Sequence, residues 1–283
     1  MNKILTFFLL YSVNSFSQAD SEVILLELVF KGDSILLKNE QNISSNKGYD
    51  NQPSFYSKEL LLYASTRNNQ TDILQYNTRT HEKKWLTSTE YGSEYSPLKI
   101  IEEEALSAIR LDASGLQRLY RYDLKEDTSV PIHKSLKIGY HVWYKKDLLV
   151  ATVLVADRMD LVYLNLKDGF EKVIAQDVGR SLHKIPKSNA ISFISNKNKK
   201  SVLTYLDMDT FSTQALFNLP EDVSDMCWFN DQSILFPNKN SIMLHQFKKN
   251  LTTKIHSFSP TQKGTRMTVS PEKNKLAVVV EKK

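Results

Sequence analysis

Glycine is scarce in this chain, 8 of 283 residues, under half the usual share of about 7%. Neither G-x-G-x-x-G nor G-x-x-x-x-G-K-[ST] occurs, which excludes the loops through which backbone closes on pyrophosphate. Cysteine is nearly absent as well. The single Cys227 cannot form an intramolecular disulfide, and its neighbours Met226, Trp228 and Phe229 predict a buried structural thiol rather than a nucleophile. There is no strong charge bias. Lys plus Arg number 37 against 32 Asp plus Glu, a net +5, and basic runs are short, such as Lys197–Lys200 around Asn198, Lys248–Lys249 and Lys282–Lys283. A balance this mild speaks against a nucleic-acid surface. No apolar run reaches the roughly 20 residues of a membrane-spanning helix.

What is present begins at the N-terminus. Lys3 precedes an apolar stretch from Ile4 to Val13, and Ser15 and Ser17 stand at −3 and −1 of a cleavage site before Gln18. This is the pattern of a secretory signal peptide over residues 1–17. No cysteine follows the apolar stretch, so the lipoprotein route is not expected. The expected product is residues 18–283, soluble, periplasmic or secreted, with no transmembrane segment.

The rest of the chain is periodic. One unit runs from Gly48 through Leu60–Arg67 and Asp72–Asn77 to Lys84–Thr87, and reads as four short strands separated by polar turns. Similar units open at Gly92, Gly139, Gly179, about Ser224 and Gly264, spaced 40 to 47 residues apart, the period of four-stranded propeller blades. The last unit supplies only two strands, Met267–Ser270 and Leu276–Val280. The residues before the first unit supply two more, Val23–Phe30 and Ser34–Asn39. The chain therefore predicts an all-β, six-bladed propeller in which one blade is closed by strands from both termini. Ile100–Leu111, with Glu102–Glu104 and Ala105, has helix propensity, but the register assigns it to strands. Asparagine in the turns offers a way to reach positive φ without glycine.

Within the first full unit, Gly48-Tyr49-Asp50-Asn51-Gln52-Pro53-Ser54-Phe55, the strand Leu60–Arg67 and Asp72-Ile73 resemble the WD-like repeat of TolB-type β-propellers. Ser270-Pro271-Glu272-Lys273 resembles that repeat's S-P-D-G turn. The resemblance implies structural roles for Pro53, Phe55, Arg67 and Asp72, with the Arg67–Asp72 pair fixing the second strand to the third. Asp157–Asp160, which includes Arg158, reads as a degenerate counterpart. TolB proteins carry a further N-terminal α/β domain. Here the predicted mature sequence enters the repeat at once, so their role in an envelope-spanning complex does not carry over.

Chemistry is harder to read. None of the six histidines lies in H-x-H or H-E-x-x-H, and no C-x-x-C, G-x-S-x-G or aspartate box occurs. Neither metal nor other cofactor is expected. Residues near the blade openings, Tyr49, Asp50, Tyr91, Glu94, Tyr140, His141, Arg180 and His183, are the candidates to line the central funnel. Two readings stay open. One is a monomeric, non-catalytic module that binds a protein, peptide or glycan in the cell envelope. The other is a carbohydrate-active lyase or glycoside hydrolase using His141, His183, Asp50 and Glu94, whose acids would come from separate blades and leave no local motif.

Overall fold

The computed structural model describes residues 20–31 and 34–282; the expected signal peptide, residues 1–17, lies outside them. Two strands come first, β1 (Ser21–Lys31) and β2 (Ser34–Asn42). Five consecutive groups of four follow. Blade 2 is β3 (Asp50–Phe55), β4 (Leu60–Arg67), β5 (Gln70–Asn77) and β6 (Lys83–Trp85). Blade 3 is β7 (Gly92–Lys99), β8 (Ala105–Asp112), β9 (Gln117–Asp123) and β10 (Thr128–Pro131). Blade 4 is β11 (Ile138–Lys145), β12 (Leu148–Val155), β13 (Arg158–Asn165) and β14 (Phe170–Ala175). Blade 5 is β15 (Val178–Lys184), β16 (Ala190–Ser195), β17 (Val202–Asp207) and β18 (Thr213–Asn218). Blade 6 is β19 (Cys227–Asn230), β20 (Ser233–Asn238), β21 (Ser241–Gln246) and β22 (Leu251–Ser257). The chain ends in β23 (Gln262–Val269) and β24 (Lys275–Lys282), which join the first two strands as blade 1 in the order β2-β1-β24-β23.

The ring is thus six antiparallel four-stranded sheets closed by both ends of the chain, as the repeat count predicts. β1 pairs with β24 from Ser21 opposite Glu281 to Glu27 opposite Lys275, which covers edges that would otherwise expose unpaired backbone.

Burial explains why the second strands read as unbroken apolar runs. Leu61, Leu62, Tyr63 and Ala64 on β4 are all buried because each sheet packs a neighbouring blade on both faces. Leu62, Ala64 and Ile73 meet Leu106, Ala108 and Tyr120 of blade 3, while Leu61 and Tyr63 meet Val23, Leu25 and Ala277 of the closing blade. Cys227 sits in the core shared by blades 6 and 1, and burial pushes its thiol well above the ordinary range. The outer strand β14 is largely exposed.

The helix-prone stretch resolves into a turn and a strand. Glu102 takes φ 63°, Glu103 accepts from Arg121 Nε at 2.8 Å, and β8 starts at Ala105. Nineteen non-glycine residues among those described have positive φ, five of them asparagine, so the turns are built with little glycine. Lys273, at φ 55°, occupies the glycine position of the S-P-D-G-like turn. Gly48 is a place where the residue is required: it has φ +117°, and a Cβ there would lie 3.1 Å from the Thr66 side chain.

Candidate functional site in the central funnel

The inner strands ring the axis: β23 touches β3, β3 touches β7, β7 touches β11, β11 touches β15, and β19 touches β23. Each contains a register shift, between Asn51 and Ser54, Tyr95 and Leu98, Ile138 and Tyr140, Val178 and Leu182, Trp228 and Asn230, and Gly264 and Arg266. Such bulges turn side chains out of the regular alternation. They surround a cavity of about 90 Å³ to which Tyr140, His141, Arg180, His183, Asp225 and Arg266 contribute.

Asp225 is the carboxylate among them. Its Oδ1 accepts from Ser181 Oγ at 2.9 Å and from its neighbour Met226 N at 2.8 Å. His183 Nε2 lies 3.8 Å from Oδ1, and Arg180 Nε 3.9 Å from Oδ2. Burial opposes ionisation of this carboxyl, but nearby His183 and the charges of Arg266 and Arg180 outweigh burial and hold it below the usual range. Arg180 donates from Nη2 to Thr265 O at 3.1 Å. Burial, followed by the charge of Arg266, holds its guanidinium below the ordinary value. Arg266 donates from Nη2 to Tyr140 Oη at 3.2 Å and stands 5.1 Å from that ring's centre. The Nε atoms of both arginines are shut off from solvent and find no hydrogen-bond partner among the described residues.

His141 is held differently. Its Nε2 is 2.7 Å from Ser107 Oγ, which also accepts from Trp143 Nε1 at 2.8 Å. Burial pulls this imidazole down to about 3, so it is neutral at physiological pH. Its Nδ1 has no hydrogen-bond partner among the described residues.

Ser181, His183 and Asp225 place a hydroxyl, an imidazole and a carboxylate together, yet not as an activated nucleophile. Ser181 Oγ, at 3.0 Å, and Asp225 both approach the same His183 nitrogen, Nε2. A triad needs the acid on one ring nitrogen and the hydroxyl on the other. Among the described residues, no group of three or more His, Cys, Asp and Glu side chains is disposed to hold a metal ion.

Of the residues expected in the funnel, Tyr140, His141, Arg180 and His183 line this cavity. Tyr49 lies beside it, edge-on to Tyr95 at 6.0 Å. Burial lifts its hydroxyl to about 12 against the pull of Arg266. Asp50 and Glu94 are enclosed within their blades. Asp50 accepts from Ser65 Oγ, and burial raises it to about 6. Glu94 accepts from Thr87 Oγ1 at 3.2 Å and Tyr122 Oη at 3.1 Å, and burial raises it to about 7. The pair does not join His141 and His183 at the cavity. Tyr91 lies on the turn before β7, 72% exposed, away from the cavity lining.

Among the repeat residues, Arg67 and Asp72 form a pair. Arg67 Nε bonds Asp72 Oδ2 at 2.6 Å, Nη2 reaches Thr87 O at 2.7 Å, and the guanidinium covers Trp85 at 4.2 Å. Arg67 thus ties β4 and β5 to the segment around β6. In blade 4, Asp160 takes the place of Asp72 and Arg158 pairs with it at 2.8 Å. Phe55 packs on the core shared with the closing blade, and Pro53 lines the funnel.

Sequence reasoning missed Asp225, Arg266, Gln52 and Ser96. Arg266 was findable, because it stands two residues after Gly264 as Asp50 does after Gly48. Asp225 was not, since blade 6 lacks an opening glycine to set the register.

No family model and no curated protein sequence matches the chain. Solved structures do. A TolB of Agrobacterium tumefaciens superposes with a TM-score of 0.71 at 10% identity, over 93% of this chain and 99% of the other. TolB of Acinetobacter baumannii gives 0.57 at 11% identity, over 92% of this chain and 64% of its own. Oligogalacturonate lyase of Vibrio parahaemolyticus gives 0.52 at 12% identity, over 94% and 98%. The fold is therefore a six-bladed β-propeller of the TolB type. At such identities the likeness concerns architecture, and function rests on the site.

Proposed function

We propose that this chain is an exported, non-catalytic recognition module that acts as a monomer and binds a peptide, a protein loop or a glycan at its funnel. The observation that carries this reading is the funnel itself, where Tyr140, Arg180 and Arg266 gather around Asp225 without an activated nucleophile. Aromatic and guanidinium groups on rigid strands suit recognition, because little side-chain freedom is lost when they engage a ligand. The signal-peptide pattern of residues 1–17 supports delivery to the periplasm or the outside, with cleavage between Ser17 and Gln18.

The test is a binding panel of peptides and oligosaccharides, uronic acid oligomers among them, read by calorimetry with the wild type and with Tyr49→Ala/Tyr140→Ala and Arg180→Ala. The expected result is at least one ligand whose binding both variants abolish. Binding that survives both, or turnover of any bound sugar, overturns the reading. N-terminal sequencing of the exported protein checks the address, with Gln18 as the expected first residue.

A further inference from the structure

The funnel holds two guanidiniums and one carboxylate. Arg180, Arg266 and Asp225 together carry a net charge of +1 at the wall of a cavity of about 90 Å³. The two arginines are close enough for the charge of Arg266 to disfavour that of Arg180. Neither Nε–H has a hydrogen-bond partner among the described residues, that of Arg180 lying 3.9 Å from Asp225 Oδ2. Buried donors of this kind are normally satisfied, and two of them with a like-charge pair define a place for an acceptor.

A second cavity adjoins this place at Arg180. It measures about 180 Å³, shares Arg180, and is lined by Lys239 and Lys263 as well as Asp222 and Glu281. Arg180 therefore belongs both to the funnel and to a mixed-charge cavity beside it.

We propose that the funnel contains a subsite for a single carboxylate group, received by Arg180 and Arg266, with the rest of the ligand leaving past Lys239 and Lys263. A guanidinium meets a carboxylate through parallel N–H donors in one plane, which makes it the better partner than an ammonium. A monoanion matches the excess charge of +1. A phosphate dianion exceeds it and also faces Asp225. The oxygens accept guanidinium N–H groups, and the negative charge relieves the repulsion between the two arginines. This inference rests on the funnel being the binding site and adds the chemistry of the group bound there.

The experiment uses the full exported chain and follows the arginine Nε–H resonances by NMR during titration with acetate, acetamide and inorganic phosphate. Acetate is expected to shift the Arg180 and Arg266 signals saturably, with acetamide inert and phosphate weaker. Arg180→Gln is expected to weaken acetate by about tenfold or more. Arg266→Lys, which keeps the charge and loses the fork, is expected to do the same. Thermal melts of both variants establish that they fold, and either one alone suffices for the comparison. A response to acetamide equal to that of acetate, tighter phosphate, or unchanged acetate affinity in a folded variant overturns the subsite. N-acetylglycine and galacturonate then compete against acetate, and a win for either supports the subsite and separates a peptide source from a sugar one. A neutral ligand from the binding panel that Tyr140→Ala abolishes, together with failure of acetate, would leave the funnel as the binding site and remove the carboxylate.

Discussion

Blades 2 and 3 and blades 4, 5 and 1 start from the same plan and end differently. Two residues after the opening glycine stand Asp50 and Glu94 in the first pair, and His141, Ser181 and Arg266 in the others. The two acids are buried inside their blades, whereas the other three line the funnel. The inner strands supply the reason. In blades 2 and 3 a residue before proline adopts a left-handed backbone, Gln52 at φ 57° and Ser96 at φ 51°, and the residues after the bend line the cavity: Pro53 and Ser54, Pro97 and Leu98. The bend is locked across the blades, since Gln52 Oε1 accepts from Ser96 N at 2.7 Å and Ser54 Oγ donates to Pro97 O. A bulged strand with a strained residue has exchanged which offset faces the axis. Blades 2 and 3 therefore keep these acids away from the funnel cavity, whereas blades 4, 5 and 1 bring His141, Ser181 and Arg266 to it.

The largest expected effect tests the cationic half. Asp225→Ala leaves Arg180 and Arg266 facing each other with no counter-charge, and breaking a buried pair this way costs about 3–5 kcal/mol. Urea unfolding measures it. A loss below about 1 kcal/mol would show that Asp225 does not serve as the counter-ion.

Removing an acid from the other half is expected to do the reverse at high pH. Burial raises Glu94 from 4.5 to about 7 and Asp50 from 3.8 to about 6. Between these bounds the folded protein holds more protons than the unfolded chain, so stability falls as pH rises. The contribution of Glu94 is complete below about 4.5 and lost above about 7, with about 1–3 kcal/mol at stake. Glu94→Gln is expected to flatten the decline between pH 4.5 and 7 and to narrow its gap to the wild type at pH 8. Melting temperatures across pH 4 to 9 check this. An unchanged slope in the variant would remove Glu94 as the source.

How much of this was legible in the sequence follows from the same contrast. The blades could be read because second strands such as Leu60–Ser65 are packed on both faces, so period and hydrophobicity coincide. Closure followed from counting strands at the two ends. Tyr140, His141, Arg180 and His183 were reachable because a glycine fixes the register of their blades. Asp50 and Glu94 share that register, but side-chain direction depends on the φ of Gln52 and Ser96, and nothing in the local pattern announces a left-handed residue before proline. Tyr91 precedes its glycine and falls on the exposed turn. Asp225 depends on contacts from blade 5 to blade 6, a relation between residues 44 apart in the chain.

The smallest effect sharpens the comparison at its hinge. Ser96 reaches φ 51° without the freedom of glycine, and its Oγ is buried without a hydrogen-bond partner among the described residues. Ser96→Gly relieves the backbone and removes the unpaired hydroxyl while keeping the amide that bonds Gln52. The greater entropy of the unfolded glycine chain opposes this gain. The expected net change is within about 1 kcal/mol of zero, with Glu94 still enclosed. Ser96→Val is expected to cost more than Ser96→Gly, because a β-branched residue resists left-handed φ. If the bend is what turns Glu94 away from the axis, Ser96→Val shifts the pH window of the melting curve along with its midpoint, whereas Ser96→Gly leaves that window in place. A valine variant that loses stability without moving the window would place the cause of the enclosure in the blade packing around Thr87 and Tyr122 instead.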